Sequence, residues 1–519
     1  MASVIGREFA YRILATITGM NAELKASLLN LQGLEFIYEK QLFPELEYIF
    51  KHALTQEVAY NSLLLKRRRE IHERIGKAIE ELYAERLEDY YELLAYHYVR
   101  SDNKPKALEY LGRANHKAFQ ANAMEDAKAC FDQAIQILDT LPDTVEHREQ
   151  RIALLVKQVE VFGWLFQLVK YHGLLKRYEP LMEKIKDPHL AGAFRACVAA
   201  SEFGFGRLDL AIQSATEVLE LCKSIDNAEF AGLAYWIMIH SYFHTGEFER
   251  AVWLKEDLLA EMDKRFDLTS YVMALGPVAF SLLWLGRWDE AERECEKALN
   301  AAEKFADSGK ISFATWSLSW AYCYKGDLER AIPCGELAVK RANLPTDKVM
   351  AQLALGWVLC RGGTTGRGID LMAPAVQLAR AARYGTHECY GGALLAEGYL
   401  LAGEYDKARQ TSEEVIGIAT RVGARPWLGW SHRILGEVAL KTNPDQAAPH
   451  FEESISIFRE IKAQNKLAKA YSGMGRLHKL RGEYAEARRY LTQALEIFER
   501  LGTLIEPDKV RKELAELPA

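Results

Sequence analysis

The stretch HTGEFERAVW, residues 244–253, decides the fold because its pattern returns along the chain at a nearly fixed step. WLGRWDEAEREC repeats it 40 residues later, and YKGDLERAIPC repeats it after another 40. Each copy has a glycine, then a bulky apolar residue two positions on, then an alanine five positions on. The equivalent positions are Gly206, Gly246, Gly286, Gly326, Gly363, Gly403, Thr442 and Gly482, with Phe166 as a degenerate earlier copy. Self-similarity at such a period predicts a repeat solenoid.

Two segments flank each glycine and predict a pair of helices. LAYWIMIHSYFHTG leads up to Gly246 and FERAVWLKEDLLAEM follows it, both with apolar residues at helical spacing. A glycine fits the left-handed turn that ends a helix, since it has no Cβ. The alanine of this copy, Ala251, is small enough for two helices to approach closely. The repeat unit is therefore predicted to be a helix–turn–helix hairpin.

The last full copy resembles the tetratricopeptide repeat (TPR) family. YSGMGRLHKLRGEYAEARRYLTQALEIF carries small and aromatic residues at the family's offsets, namely Tyr471, Gly475, Gly482, Tyr484, Ala487 and Ala494. Its step of about 40 residues exceeds the usual 34 and is similar to that of long-helix variants. The resemblance extends over residues 105–505. It implies an all-α, TPR-like solenoid, with the superhelix at 141–519 and a helical connector with the first repeat-like helices at 76–140.

Composition and charge exclude several classes of function. The chain of 519 residues has a net charge of −6, so it lacks the polybasic character of proteins that bind nucleic acid or anionic membranes. Its eight cysteines are scattered without a C-x-x-C pair and are interpreted as packing residues in a reducing compartment. No signal peptide opens the sequence. We therefore expect a cytoplasmic chain with no cofactor, no metal, no membrane contact and no nucleic-acid partner.

One uncharged stretch has nearly the length of a membrane span. LTSYVMALGPVAFSLLWLG, residues 268–286, runs for 19 residues without a charge. It contains the pair Gly276-Pro277 and lies in register as the first helix of a repeat. A buried helix of the solenoid is therefore the better interpretation.

The first 75 residues lack the period and predict a small α+β segment. EFIYEKQLFPELEYIFKHA has β-prone runs at 36–38 and 48–50 around a proline-bearing turn. A short helix around 24–31 precedes them and a long helix follows. Helix, hairpin and helix make a winged-helix-like arrangement, assigned to residues 1–75. Its hairpin tip carries little positive charge and the KRRRE run at 66–70 is interpreted as a solvated helix face, which disfavours DNA contact.

The same segment resembles a junction in bacterial signal-transduction ATPases of the STAND type. ASVIGREF at 2–9 and EYIFKHALTQEVAYNSLL at 47–64 carry the resemblance. In that family a P-loop NTPase core, often preceded by a class III adenylate/guanylate cyclase domain, leads into a winged helix and then TPRs. The resemblance implies that this chain is the carboxy-terminal regulatory part. It also implies that His52 senses the nucleotide of a missing domain; the alternative is a histidine that only ends a strand.

The sequence contains no catalytic motif. A P-loop needs G-x-x-x-x-G-K-[ST], and the glycine-rich RGGTTGRGID at 361–370 lacks that ending. There is also no G-x-S-x-G elbow and no H-E-x-x-H motif. His240 and His244 have a spacing compatible with two metal ligands, but their helix offers no third ligand. We therefore expect this chain not to be an enzyme, and any ATPase or cyclase activity would reside in a separate part.

In TPR proteins the first helix of each pair lines the concave face, and its groove positions are aromatic in the middle of this array and polar toward its end. They are Trp236, His240, Phe243, His244, Phe280, Trp284, Phe313, Trp316, Trp320, Tyr324, Trp357, Arg433, Glu437, Lys469 and Arg476. Aromatic anchors are typical of recognition surfaces, whereas an aromatic stripe at helical spacing is also typical of a core. Both interpretations stay open. A groove predicts that the tryptophans are partly exposed.

Three functions from different classes remain. The favoured one is a non-catalytic interaction and regulatory scaffold of a signal-transduction ATPase or adenylate/guanylate cyclase system. Its TPR groove would take a protein or peptide segment, from a separate partner or from its own NTPase/cyclase half. The second is a sensor that holds a small molecule, for example a sugar, among the groove aromatics. The third, the least supported, is a DNA-linked transcriptional regulator.

Overall fold

The computed structural model describes residues 1–20, 22–42, 45–225, 230–262 and 268–518. They form two compact units, Met1–Leu154 and Leu155–Ala519. The first unit combines a small sheet with helices. The second contains helices throughout its described residues.

The first unit begins with short elements and continues into longer helices. In chain order they are α1 (Ala2–Ile5), β1 (Glu8–Ala10), α2 (Tyr11–Thr18), α3 (Ala22–Gly33), β2 (Ile37–Gln41), β3 (Glu47–Phe50), α4 (Ala53–Asn61), α5 (Leu65–Leu82), a 3₁₀ helix (Ala84–Tyr90), α6 (Tyr91–Val99), α7 (Lys104–Gln120), α8 (Met124–Thr140) and α9 (Val145–Val156), which crosses the boundary.

The sheet of the first unit confirms the predicted hairpin and adds one strand to it. Strands β2 and β3 pair antiparallel, with Tyr38 opposite Ile49. Strand β1, which the sequence analysis did not predict, pairs with the other edge of β3, so the order is β1-β3-β2. Phe9 on β1 stacks on Tyr48 with ring centroids 5.7 Å apart. The predicted hairpin tip includes Phe43 and Pro44, which lie outside the described residues.

The second unit is built from consecutive helices. They are α10 (Val159–Trp164), α11 (Leu168–Tyr178), a 3₁₀ helix (Glu179–Lys184), α12 (Pro188–Gly204), α13 (Leu208–Ser224), α14 (Ala231–Thr245), α15 (Phe248–Met262), α16 (Leu268–Leu285), α17 (Trp288–Lys304), α18 (Ser308–Lys325), α19 (Leu328–Arg341), α20 (Pro345–Arg361), α21 (Thr365–Ala381), α22 (Gly385–Ala402), α23 (Tyr405–Val422), α24 (Arg425–Thr442), a 3₁₀ helix (Pro444–Gln446), α25 (Ala447–Glu460), α26 (Gln464–Leu480), α27 (Tyr484–Leu501) and α28 (Glu506–Ala515).

These helices form the predicted solenoid of hairpins. From α12 onward each helix packs against the next one in the chain. Each turn in which the sequence repeat has a glycine is left-handed at that glycine, as at Gly246 (φ 89°), whereas the copy with Thr442 has no left-handed residue at this position. The degenerate copy follows the same rule, because Phe166 also has a positive φ, of 57°.

The uncharged stretch from residue 268 is the solenoid helix α16, as expected. Its side chains Val272, Ala274 and Leu275 are buried, and the helix packs between α14 and α18. None of the helices in the described ranges combines the length and the apolar character that a membrane span requires.

The superhelix of the second unit is tight enough to meet itself. Helices ten places apart in the chain are in contact: α10 with α20, α12 with α22, α14 with α24, and α16 with α26. Because each repeat supplies two helices, successive turns of the superhelix touch after five repeats. The first helices of the pairs therefore face a narrow, enclosed interior.

Candidate functional site

The interior of the second unit brings most of the predicted groove residues together. Phe280 stacks on Trp316 at 5.0 Å between ring centroids, and Trp320 lies 5.3 Å from Trp357. Two tryptophans that the sequence analysis missed complete this aromatic group. Trp427 lies 5.5 Å from Trp284, and Trp430 lies 5.8 Å from both Trp284 and Trp357.

These aromatic side chains are enclosed, so the expectation of partly exposed tryptophans is wrong for most of them. Trp284, Trp320 and Trp357 are each 1% exposed. The cause is the five-repeat closure, which sets the aromatic faces of distant repeats against one another. The predicted residues that are buried are Phe243, His244, Phe280, Trp284, Phe313, Trp316, Trp320, Tyr324, Trp357 and Arg433. Trp236, His240, Glu437 and Arg476 are half-buried.

The two histidines with metal-compatible spacing have hydrogen-bonding roles instead. The indole Nε1 of Trp427 donates to His244 Nδ1 at 3.1 Å, which joins α24 to α14. His240 Nδ1 lies 3.1 Å from the carbonyl oxygen of Trp236. Burial lowers the pKa of His240 to about 3 and that of His244 well below its usual range. Within the described residues, no three side chains of metal-ligating types gather in one place.

A cluster of charged side chains, four of them buried and two (Arg361 and Lys469) half-buried, lies beside the aromatic group, and we call it the interior charge cluster. Its members come from helices α20, α22, α24, α26 and α28 and are Arg361, Glu397, Arg433, Lys466, Lys469 and Glu506. Of these six residues, the sequence analysis named only Arg433 and Lys469.

The two carboxylates of the interior charge cluster hold several of its cations. Arg361 Nη2 donates to Glu506 Oε1 at 2.8 Å, and Lys469 Nζ lies 3.5 Å from the same oxygen. Arg433 Nη2 lies 3.3 Å from Glu397 Oε1, outside hydrogen-bond geometry. Burial opposes ionisation of Glu506, but Lys469 and Arg361 lower its pKa to about 2. Burial also opposes ionisation of Glu397, but Arg433 and Lys469 lower its pKa well below the usual range, so both carboxylates are charged at neutral pH.

Lys466 differs from the other members because it contacts rings instead of carboxylates. It is 1% exposed, and its Nζ lies 3.2 Å from the ring centroid of Trp430 and 4.5 Å from that of Tyr324. The rings of Trp284 and Trp357 lie 5.5 Å away. Its Nζ has no hydrogen-bond partner. Sequence reasoning offered no signal for it, since a lysine at a helix start is ordinarily solvated.

Further buried polar atoms in this region also have no hydrogen-bond partner in the structure. They are Nε1 of Trp236, Trp284, Trp320 and Trp430, the hydroxyls of Tyr324 and Tyr390, and Nε of Arg433. Buried donors are ordinarily paired with protein groups or water. The interior is thus rich in donors that are available to a ligand or to solvent.

The remaining polar groove residues are paired. Arg476 Nη1 donates to Glu513 Oε1 at 3.2 Å, and its other nitrogen donates to Glu437. Glu437 and Arg476 therefore link α24, α26 and α28 at the end of the array. Their role as ligand contacts stays a prediction.

The first unit has a separate feature of interest around His52. His52 is exposed and is the N-cap residue of α4, which has no buried residue. Four apolar side chains in the following 13 residues are strongly exposed, namely Leu54 (69%), Val58 (61%), Leu64 (80%) and Leu65 (66%). Strongly exposed apolar side chains that cluster on a surface are typical of interaction sites. We call these four residues the α4 patch.

A family model and one solved structure agree with the repeat architecture. No curated protein matches the sequence at a significant level. A Rap protein complexed with Competence and Sporulation Factor is similar in structure, with a TM-score of 0.52 and 13% identity over 68% of this chain and 99% of that chain. The APC/C hetero-tetramer Cut9–Hcn1 has a TM-score of 0.47 and 14% identity over 86% of this chain and 87% of that chain. Residues 271–343, 389–460 and 443–500 match the family model for the tetratricopeptide repeat. The chain thus carries tetratricopeptide repeats in a helical solenoid, a fold typical of scaffolds that bind other proteins.

Proposed function

We propose that this chain is a non-catalytic regulatory scaffold of a signal-transduction ATPase or adenylate/guanylate cyclase system. In this proposal the first unit is a winged helix that docks the P-loop NTPase core, and the repeat unit receives the signal. The observation that carries the proposal is the exposed α4 patch, which lies in the segment that resembles the ATPase junction. His52 at the start of α4 would face the nucleotide of the docked core.

The arrangement of α4 supports docking by this surface. Leu54 and Val58 are four positions apart, so they lie on the same side of the helix. Leu64 and Leu65 extend the apolar surface to the start of α5. Burying one such side chain stabilises a contact by roughly 1.5–3 kcal/mol. Four of them would make this patch a large part of an interface with a partner domain.

The test uses the NTPase core encoded next to this segment, purified as a separate protein. Calorimetry should show that the chain binds this core and that Leu54→Lys with Val58→Lys abolishes the heat of binding. The matched control is Leu210→Lys, which changes a leucine that is 49% exposed on α13 of the repeat unit. Equal binding by the double variant, or the absence of any P-loop core in the neighbouring coding sequence, would contradict the proposal.

A second candidate function is supported by the enclosed interior. An interior lined by unpartnered donors suits a small molecule better than an extended protein segment, because the rings that line it are almost fully buried. The repeat unit would then be a sensor whose state is passed to the docked partner. The Rap protein with the same fold was solved in complex with Competence and Sporulation Factor.

A further inference from the structure

The interior charge cluster has more positive than negative side chains. Arg361, Arg433, Lys466 and Lys469 stand against Glu397 and Glu506. The rings near Lys466 carry no charge, and Cys323 is a buried thiol. An unpaired charge is costly to bury. When Lys466 is protonated, the cluster carries a surplus of positive charge, which a negative partner from outside the chain would balance.

The surplus is concentrated at Lys466 and Arg433. Lys466 Nζ faces aromatic rings and has no hydrogen-bond partner, and Arg433 Nε has no acceptor although it is buried. Cation–π contacts stabilise a desolvated ammonium. They do not replace an oxygen acceptor, because an ammonium has three donors to satisfy.

We infer that the interior of the repeat unit binds a small ligand that carries a carboxylate or phosphate group, with the anionic oxygens held by Lys466 Nζ and the Arg433 guanidinium. Trp284, Trp357 and Trp430 enclose the ammonium and would pack against the apolar part of the ligand. This assignment goes beyond partner docking and gives the second candidate function its ligand class. It rests on the repeat unit alone, so its failure would leave the docking proposal standing.

The charge state of Lys466 is linked to the ligand. Burial and the neighbouring Lys469 lower the pKa of Lys466 well below its usual range. Burial and Arg361 likewise lower the pKa of Lys469 to about 8. Glu397 and Glu506 are the acidic groups that oppose these shifts. A bound anion adds a further negative charge, so it favours the protonated lysine and should bind with uptake of a proton.

The experiment titrates the full chain with named anions and a neutral control. The probes are inorganic phosphate, phenyl phosphate and phenylacetate, and the control is phenylacetamide, all at matched ionic strength with chloride. A comparison of the affinities for phosphate and phenylacetate shows whether the site prefers a phosphate group or a carboxylate. The readouts are calorimetry and tryptophan fluorescence, which reports on the rings around Lys466. At least one anion should bind and also raise the Tm by about 2 °C or more, whereas phenylacetamide should not.

The variant Lys466→Met separates a ligand site from an ordinary core position. It keeps the volume and removes a buried amine that has no hydrogen-bond partner, so it should fold with a Tm at or above that of the wild type. It should weaken anion binding about tenfold or more. Lys441→Met, at an exposed lysine of α24, is the matched control and should bind as the wild type does.

The inference is overturned by three results. In the first, none of the three anions changes any readout in the wild type. In the second, phenylacetamide binds as well as phenylacetate. In the third, Lys466→Met retains wild-type binding. If Lys466→Met fails to fold, the Tm of the wild type with and without each anion still decides the question. A raised Tm indicates an anion site, and an unchanged Tm indicates a core that no anion enters.

Discussion

The turns at Gly286 and Gly482 have the same local conformation but different surroundings. Both residues are left-handed, with φ of 82° and 75°. A Cβ at Gly286 would overlap Leu501 Cδ2 on the next turn of the superhelix, whereas a Cβ at Gly482 would have no neighbour within 4 Å. The repeat sequence therefore sets the turn in both places. Only the closure of the superhelix distinguishes a packed turn from an open one.

The same contact recurs along the packed side of the superhelix. A Cβ at Gly206 or at Gly246 would lie 2.7 Å from Val422 or Ile461, respectively. The interior shows the other consequence of closure, since α14 and α16 bring their aromatic faces against α24. Each of the following predictions tests whether this closure, rather than the repeat unit itself, stabilises the protein.

The largest effect is expected at Trp427, which packs between successive turns. It is fully buried, donates to His244 and lies 5.4 Å from the ring of Tyr390. Trp427→Ala should lower the free energy of unfolding by about 3–5 kcal/mol, because it leaves a large cavity and removes a hydrogen bond. Urea denaturation provides the measurement. Trp253→Ala, at a tryptophan of α15 that is 66% exposed, should cost less than about 0.5 kcal/mol. Equal costs would refute a packed interior.

The sequence predicts the features that depend on residues close together in the chain. The period gave the helix pairs and the positions of the turns, and the β-prone runs gave the hairpin of β2 and β3. The left-handed residues between successive repeats were not foreseen, because non-glycine residues occupy several of them, as at Ala306, Arg383 and Lys462.

The sequence predicted only part of the candidate site, because the site also depends on the geometry of the superhelix. The groove positions of the repeat predicted which aromatic residues converge in the interior. Their burial, however, depends on how many repeats make one turn of the superhelix. That number follows from small rotations between neighbouring helix pairs, which no single motif encodes. Trp427, Trp430 and Lys466 were missed because only closure brings α24 and α26 against the aromatic middle of the array.

The next largest effect is expected from an added methyl group at a packed turn. Gly286→Ala should destabilise by about 1–2 kcal/mol through its left-handed backbone and by a further 1–3 kcal/mol or so through overpacking against Leu501. Gly482→Ala should show only the first part, since its surroundings are open. Chemical denaturation of both variants measures the difference. If the two substitutions cost the same, the turns do not pack as described.

Acid should weaken the contact between α14 and α24. Because the pKa of His244 is lowered by burial in the folded state, the unfolded chain binds a proton below about pH 6.5 while the folded chain does not. The contribution of His244 to the free energy of unfolding is thus present at neutral pH and is lost as the pH falls. Between pH 7 and pH 5 the loss should be about 2 kcal/mol.

The variant His244→Gln isolates this contribution. Glutamine can still accept from Trp427 but does not titrate, so its unfolding free energy should fall less between pH 7 and pH 5, by the same amount of about 2 kcal/mol. His116→Gln, at an exposed histidine of α7, is the matched control. An unchanged pH dependence in His244→Gln would show that this histidine is not held neutral between the two turns.

The smallest expected effect is a coupling energy, and it is the most specific test of closure. Leu501→Ala removes the side chain that a Cβ at Gly286 would meet. In that background Gly286→Ala should cost about 1 kcal/mol less than in the wild type, because the overpacking is relieved while the backbone strain remains. Gly482→Ala should be additive with Leu501→Ala to within about 0.5 kcal/mol, since the two sites share no contact. Additivity in both pairs would mean that Gly286 and Leu501 do not touch in solution, and the enclosed interior would then have to open. Coupling between Gly286 and Leu501, without coupling between Gly482 and Leu501, would show that successive turns of the superhelix are in contact. The enclosed interior requires this contact.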